Sequence, residues 1–222
     1  MFDRNFLKLY FICGTQDCEY NIDKTKHIIE TALKNGVTIF QYREKGEYSL
    51  TEEAKENFAR EIQILCQKYK VPFIIDDDID LVLKLNADGI HIGQKDEDIE
   101  NIRKKIPNKI IGLTVSNEDE FSNSKIEMAD YLGVGPVYNT FSKKNPAQTI
   151  GVSGIKKIRN LTNKPIVAIG GIKKENIKEI IKNGADGVAV ISAITKEKNI
   201  EKITCDLKNE INLSNFLGQY TF

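Results

Sequence analysis

The sequence predicts an α/β chain folded as a (β/α)8 TIM barrel, a single domain spanning residues 1–222. Three observations carry the prediction. Short apolar runs recur eight times, and each is followed by a stretch whose apolar residues repeat at helical spacing. The junctions from helix back to strand resemble one another: Asn35-Gly36-Val37, Asn86-Ala87-Asp88-Gly89, Met128-Ala129-Asp130-Tyr131 and Asn183-Gly184-Ala185-Asp186-Gly187. No single glycine-rich first turn dominates, as it would in an open doubly wound sheet, and a closed barrel tolerates chains of roughly 200 residues. The barrel is expected over about residues 7–211, with 212–222 as a C-terminal tail.

Residues 7–13 read as the first strand, which Gly14 ends. Asp23 is placed to cap a helix with Ile28, Ile29, Ala32 and Leu33 on its apolar face, and Asn35-Gly36 stops it. Residues 37–42 are the second strand. Ser49 and Glu52 form a capping-box pattern for a long helix with the stripe Ala54, Phe58, Ile62, Leu65 and Tyr69. Pro72 opens the third strand, Phe73-Ile74-Ile75, which runs into Asp76, Asp77 and Asp78. Helices over 80–85, 96–105 and 117–128 then alternate with strands over 88–92, 109–114 and 131–134. After a long loop come a helix over 153–161, a strand over 166–169, a helix over 174–182, a strand over 187–191 and a helix over 199–210. In the tail, Leu213, Phe216, Leu217, Tyr220 and Phe222 are expected to cover the barrel exterior or a subunit contact.

Apolar content of 41% and charged content of 29% suit a soluble globular protein with a substantial core. A formal net charge of zero argues against general binding of nucleic acid or acidic membrane. No apolar run approaches the roughly 20 residues needed to span a bilayer. Met1-Phe2-Asp3-Arg4 does not open a signal peptide, so a cytoplasmic location is expected. Cys13, Cys18, Cys66 and Cys205 show no zinc spacing and read as reduced thiols.

In such barrels chemistry lies at the C-terminal ends of the strands. At the end of strand two, Gln41, Arg43 and Lys45 alternate and share one face of an extended segment. They suit an anion clamp, Arg as a planar fork and Lys as a point charge, or else an ordinary basic turn. At the end of strand three, carboxylates roughly 4 Å apart at an effective dielectric of about 20 repel by about 4 kcal/mol. Such a knot is a solvated loop with a helix cap, or a cation site. Asp96, beyond the fourth strand, is a second carboxylate that would share a hard cation with Asp77, whereas His91 reads as a packed polar residue. Thr114 ends strand five with a hydroxyl that would suit phosphate, although β-propensity explains it nearly as well. The loop after strand six carries Thr140, Ser142 and Lys143, and long loops of this kind are often lids. Gly170-Gly171 and Ile191-Ser192 end strands seven and eight, where the fold repeatedly binds phosphate through backbone N–H groups. Two phosphate regions suggest a reaction of two phosphorylated substrates, or one long bisphosphate.

Taken together, the segments 41–45, 75–77, 87–96, 131–136, 140–143, 169–172 and 184–194 make the chain resemble the thiamine phosphate synthase family over roughly residues 7–200. The resemblance implies a transferase that joins 4-amino-2-methyl-5-hydroxymethylpyrimidine pyrophosphate to hydroxyethylthiazole phosphate. The implied products are thiamine phosphate and pyrophosphate. It implies substrate contacts from Gln41, Tyr42, Arg43, Glu44, Lys45, Asp76, Thr114, Thr140, Phe141, Ser142, Lys143, Gly171, Ile191 and Ser192. Arg43, Lys45, Thr114 and Lys143 would carry catalysis, with one Mg2+ held by Asp77 and Asp96. Two departures stand out: Asp76 where the family commonly has Asn, and Asn145 where an acidic residue is frequent. The partners implied are small molecules, with neither nucleic acid nor membrane, and a homo-oligomer is allowed. The rival readings are a thiazole tautomerase-like isomerase, which would need a proton-transfer group, and a non-catalytic sensor of thiamine precursors.

Overall fold

The computed structural model describes residues 2–140 and 148–218, and within them the chain closes into the expected barrel. The strands are β1 Leu9–Cys13, β2 Ile39–Tyr42, β3 Phe73–Asp76, β4 Gly89–Ile92, β5 Ile110–Val115, β6 Tyr131–Val134, β7 Ile166–Ile169 and β8 Gly187–Val190. Each lies parallel to the next, and β8 returns to β1 with Val188 opposite Leu9. Around them run α1 Ile22–Lys34, α2 Glu52–Tyr69, α3 Ile79–Leu85, α4 Ile99–Lys105, α5 Glu118–Asn123, α6 Gly151–Leu161, α7 Ile177–Lys182, α8 Ser192–Thr195 and α9 Ile200–Gly218. No helix among the described residues is long and apolar enough to cross a membrane.

The two-residue period of a strand separates two cores. Leu9, Phe11 and Cys13 of β1 face the helices, with Phe40, Tyr42, Phe73 and Ile75 beside them. Tyr10 and Ile12 face the barrel interior with Ile39, Ile74, Tyr131, Val167 and Ala189, and Phe2 and Phe6 pack against this inner set. The helix-facing cluster is the larger of the two.

The repeated junctions have a physical cause. Asp88, at the start of β4, takes the Phe73 N–H at 2.8 Å on its carboxylate and donates its own N–H to the Phe73 carbonyl at 3.0 Å. Asp130 does the same to Ile111, at 2.8 and 2.7 Å, and Asp186 to Ile166, at 2.7 and 2.8 Å. At the start of β2 the Thr38 hydroxyl takes the Leu9 N–H at 2.9 Å, and the Thr38 N–H donates to the Leu9 carbonyl at 2.9 Å. Each clip satisfies a strand-end N–H that would otherwise lack a partner. The residue before it (Val37, Ala87, Ala129 or Ala185) is buried under the helix layer.

Several local expectations are corrected. Asn21, not Asp23, caps α1, taking the Lys24 N–H at 2.9 Å. The Ser49–Glu52 capping box does not form: Ser49 donates to the Gly46 carbonyl at 2.8 Å, and α2 starts after Thr51 without a side-chain cap. Phe58, Ile62 and Leu65 of the α2 stripe are buried, but Ala54 is exposed. The expected helix over 117–128 is two pieces, α5 and a 3-10 turn Ile126–Met128, because Ser124 is extended. The expected helix over 174–182 likewise opens with a 3-10 turn, Lys174–Asn176, before α7. The tail boundary also moves, since α9 continues to Gly218 with Leu213 and Phe216 exposed. The Leu217 side chain, Tyr220 and Phe222 lie outside the described residues.

Candidate active site

Strand alternation sorts the segment after β2. Gln41 turns inward, and Arg43 and Lys45 follow it to the barrel mouth. Tyr42 points the other way, with its ring 6.0 Å from Phe58 and 6.5 Å from Phe73. Glu44 is buried, and its carboxylate takes the N–H groups of Thr15 at 2.9 Å and Leu50 at 3.0 Å, as well as the Thr15 hydroxyl. Tyr42 and Glu44 therefore brace the loop from behind, and their side chains do not line the cavity, unlike those of Arg43 and Lys45.

The three aspartates divide their work. Asp76 projects into the mouth, 3.4 Å from Arg43 Nε and 3.0 Å from Lys45 Nζ. Its Oδ2 is buried and accepts no aligned hydrogen bond. Asp77 pairs with Lys45 and holds φ +48°, a left-handed conformation that costs a side-chain-bearing residue about 1–3 kcal/mol. Asp78 caps α3 through the Leu81 N–H at 3.0 Å and pairs with Lys55 at 2.7 Å. The helix-cap reading holds at Asp78, while Asp76 and Asp77 both pair with Lys45.

Burial lowers the Lys45 ammonium, but Asp76 and Asp77 outweigh it and hold its pKa above the ordinary lysine value. Burial pushes the Asp77 carboxyl up, and the charges of Asp76 and Asp96 add to this against Lys45. Asp96 takes the Gly93 N–H at 2.7 Å and is exposed. No group of three or more metal-binding side chains exists among the described residues. Mg2+ needs no such group, because one or two carboxylates suffice when water and phosphate complete its shell. Asp77 and Asp96 on neighbouring strand ends, beside Asp76 with its charge shared by Arg43 and Lys45, fit that donor set.

One cavity of about 470 Å3 unites most of the expected residues. Arg43, Lys45, Asp76, Asp96 and Thr114 line one side, and Thr140, Gly171, Ile191 and Ser192 the other. Gly170 and Gly171 adopt φ +102° and +63°, and a Cβ on Gly171 would lie 2.5 Å from the Asn139 carbonyl oxygen and 2.7 Å from Tyr138 Cβ. Only glycine lets the chain turn there and present its backbone to the cavity. Phe141, Ser142 and Lys143 lie outside the described residues. An open cleft of about 1200 Å3 continues from Gly171 and Ser192 toward α9, past Gln16, Asp17 and Lys196.

Below the cavity lies a feature that strand patterns alone did not reveal. Gln41 Nε2 donates to the Tyr10 hydroxyl at 2.9 Å, and Tyr10 and Tyr131 share a hydrogen bond of 2.8 Å. Tyr131 meets His91 Nδ1 at 3.0 Å, and His91 Nε2 meets the Thr114 hydroxyl at 2.8 Å. Gly112 and Gly133 make room for it, since a Cβ on either would collide with His91. The available signal was two tyrosines at inward positions, whose buried hydroxyls each require a partner.

Asp17, at the edge of the cleft, yields a pH prediction. Burial pushes its pKa up to about 6, against the Gly14 N–H and the Arg43 charge. The folded state therefore holds a proton that the unfolded state has lost, and stability falls as pH rises from about 4 to about 6. Asp17→Asn is expected to remove about 2 kcal/mol of this fall, seen as a larger gain over the wild type at pH 7 than at pH 4 in urea unfolding. An equal difference at both pH values would refute it.

The family model for thiamine monophosphate synthase matches residues 9–194. Thiamine-phosphate synthase 1 of Streptococcus pneumoniae serotype 4 is 50% identical over 211 residues, covering 95% of this chain and 100% of that protein. The thiamine-phosphate synthase of Staphylococcus haemolyticus is 47% identical over 210 residues, covering 94% and 99%. The solved thiamine phosphate pyrophosphorylase of Pyrococcus furiosus superposes with a TM-score of 0.84 at 34% identity, covering 95% of this chain and 98% of that one.

Proposed function

The chain belongs to the thiamine monophosphate synthase family, and on that premise we propose that it condenses 4-amino-2-methyl-5-hydroxymethylpyrimidine pyrophosphate with hydroxyethylthiazole phosphate, giving thiamine phosphate and pyrophosphate. The observation that carries the assignment of roles is the single cavity lined on one side by Arg43, Lys45, Asp76 and Thr114 and on the other by Gly171, Ile191 and Ser192. Arg43 and Lys45 bind the pyrophosphate and take up the charge that grows on it as the C–O bond breaks and its electron pair leaves with the phosphate oxygen. Thr114 donates a hydrogen bond to the same group. The glycine turn and the Ile191-Ser192 backbone hold the thiazole phosphate, so that the thiazole nitrogen faces the pyrimidine methylene. That nitrogen's lone pair forms the new C–N bond and the ring becomes a thiazolium, so no proton is transferred. The side chains position two reactants and stabilise a leaving group, which matches the absence of a Ser-His-Asp or Cys-His set at the strand ends among the described residues.

Asp77 and Asp96 would hold one Mg2+, which supplies charge neutralisation to the pyrophosphate when bound. Lys143 would add a further cation from its loop. We place the reaction in the cytoplasm, with its small-molecule substrates as the partners. The test is incubation of the purified chain with both substrates, with and without Mg2+. Mg2+-dependent appearance of thiamine phosphate and pyrophosphate in equal amounts is the expected result. Isomerisation of the thiazole alone, or binding without pyrophosphate release, would overturn the assignment.

A further inference from the structure

The hydrogen-bonded chain beneath the cavity has a direction. Gln41 Nε2 donates to the Tyr10 hydroxyl, so the Tyr10 proton is free to go onward to Tyr131. In the opposite sense Tyr10 would accept from both Gln41 and Tyr131. Its own O–H, fully buried, would then lack an acceptor among the described residues. With Tyr10 donating, Tyr131 accepts, and its proton goes to His91 Nδ1. Nδ1 is then the lone-pair side of the imidazole, and the ring proton sits on Nε2, where it is donated to the Thr114 oxygen. The Thr114 hydroxyl, supplied with a donor from below, has its own proton left for the cavity that it lines.

We propose that Tyr10 and Tyr131 are positioning residues for the reaction: by fixing the His91 proton on Nε2 they oblige Thr114 to donate into the cavity, toward a pyrophosphate oxygen. The inference rests on the synthase reading for the identity of that acceptor, but the direction of the chain stands on the unliganded protein. Were the ring proton on Nδ1, Nε2 would instead accept the Thr114 proton. The hydroxyl would then present only lone pairs to an anion that already has a surplus of them. The site would gain a repulsive oxygen where it needs a donor. The geometry also explains why these tyrosines are so deep. Neither lines the 470 Å3 cavity, although Tyr10 borders a small pocket below it together with Arg43 and Thr114, and the hydrogen-bonded route from the two tyrosines to the cavity runs through His91 and Thr114.

The chain contains only two histidines, His91 and the exposed His27 on α1, which makes the test direct. Full-length protein labelled with 15N-histidine, without substrates and at about pH 8 where an unperturbed imidazole is neutral, reports the proton-bearing nitrogen through two-bond 1H–15N correlations. The expected result is a His91 ring protonated on Nε2, with His27 as the internal reference. A ring protonated on Nδ1, or an equal mixture, would overturn the proposal. In Tyr131→Phe, His91 is expected to lose this preference, and kcat to fall about 10- to 100-fold, the size usual for groups that orient a contacting residue. KM for the pyrimidine substrate should change little. In a Thr114→Val background the same Tyr131→Phe change should alter kcat by less than about twofold, because the residue it acts through is gone. An equal loss in both backgrounds would also sink the idea. Should Tyr131→Phe fail to fold, the wild-type spectrum still decides. Should the wild type make no thiamine phosphate, the synthase reading fails and the spectrum remains interpretable.

Discussion

Replacing Lys45 by alanine is expected to lower kcat/KM for the pyrimidine pyrophosphate by about 100- to 1,000-fold, the range seen when one preorganised donor is removed from a site of developing charge. Two effects add. The substrate loses a cation that both binds it and stabilises its departure. The protein also loses the counter-charge shared by Asp76 and Asp77, which approach Lys45 from one side. Two carboxylates about 4 Å apart at an effective dielectric of about 20 repel by about 4 kcal/mol, and an incoming pyrophosphate meets both. The Asp77 carboxyl, already pushed up by burial, would rise further and weaken any metal held there. Asp76 and Asp77 are more buried than Lys45, so losing their shared counter-ion should also lower folding stability, and rates are compared at a temperature where the variant remains folded. Initial rates over a matrix of substrate and Mg2+ concentrations would show the loss in kcat and in apparent metal affinity. A variant within threefold of wild type in both would remove Lys45 from the mechanism.

The second large effect is expected at Gly171. Valine there must adopt φ +63°, which β-branched residues avoid at a cost of about 1–3 kcal/mol. Its Cβ would also meet backbone and side-chain atoms of 138–139 that cannot swing aside. The turn must shift, and the phosphate cradle shifts with it. Gly171→Val is expected to raise KM for the thiazole phosphate at least about 100-fold while leaving affinity for the pyrimidine pyrophosphate within a few-fold. That split, measured as KM for each substrate in initial-rate assays, is the informative result. Equal weakening of both would mean that the barrel end had collapsed rather than the cradle alone, and an unchanged thiazole KM would exclude the turn as its phosphate site.

The contrast between these residues and their neighbours shows what the sequence makes legible. Arg43 and Lys45 were readable as a pair because a strand has a period of two, and the same period turns Tyr42 and Glu44 away. The motif as a string hides that division, since both kinds of residue accompany each other along the chain. The glycine turn was readable from its position after the seventh strand. The tyrosine–histidine relay was not, because its partners come from β1, β2, β4, β5 and β6, and no local pattern relates them. Caps were misplaced for a similar reason: Asn21 and Asp23 are both competent, and the choice falls on Asn21 because its backbone is extended while Asp23 already lies in the first helical turn. The expected helix over 117–128 failed because its periodicity holds only over a few residues before Ser124 extends the chain.

The clips at the strand starts bear on how this barrel can change over time. Thr38, Asp88, Asp130 and Asp186 lock neighbouring strands in register from the end opposite the cavity. A slip of one residue would invert which side chains face inward, so register cannot be entrusted to the catalytic end. With alignment secured elsewhere, the loops above the cavity are released from that duty. Insertions, deletions and substitutions there can be sampled without unpairing the sheet, and a lineage can alter what the mouth accepts while inheriting the same wall. Such an architecture leaves one rim free to change because the other rim holds the register, and the recurrence of Thr or Asp at every second strand start marks the smallest unit that carries the arrangement: two strands and the helix between them.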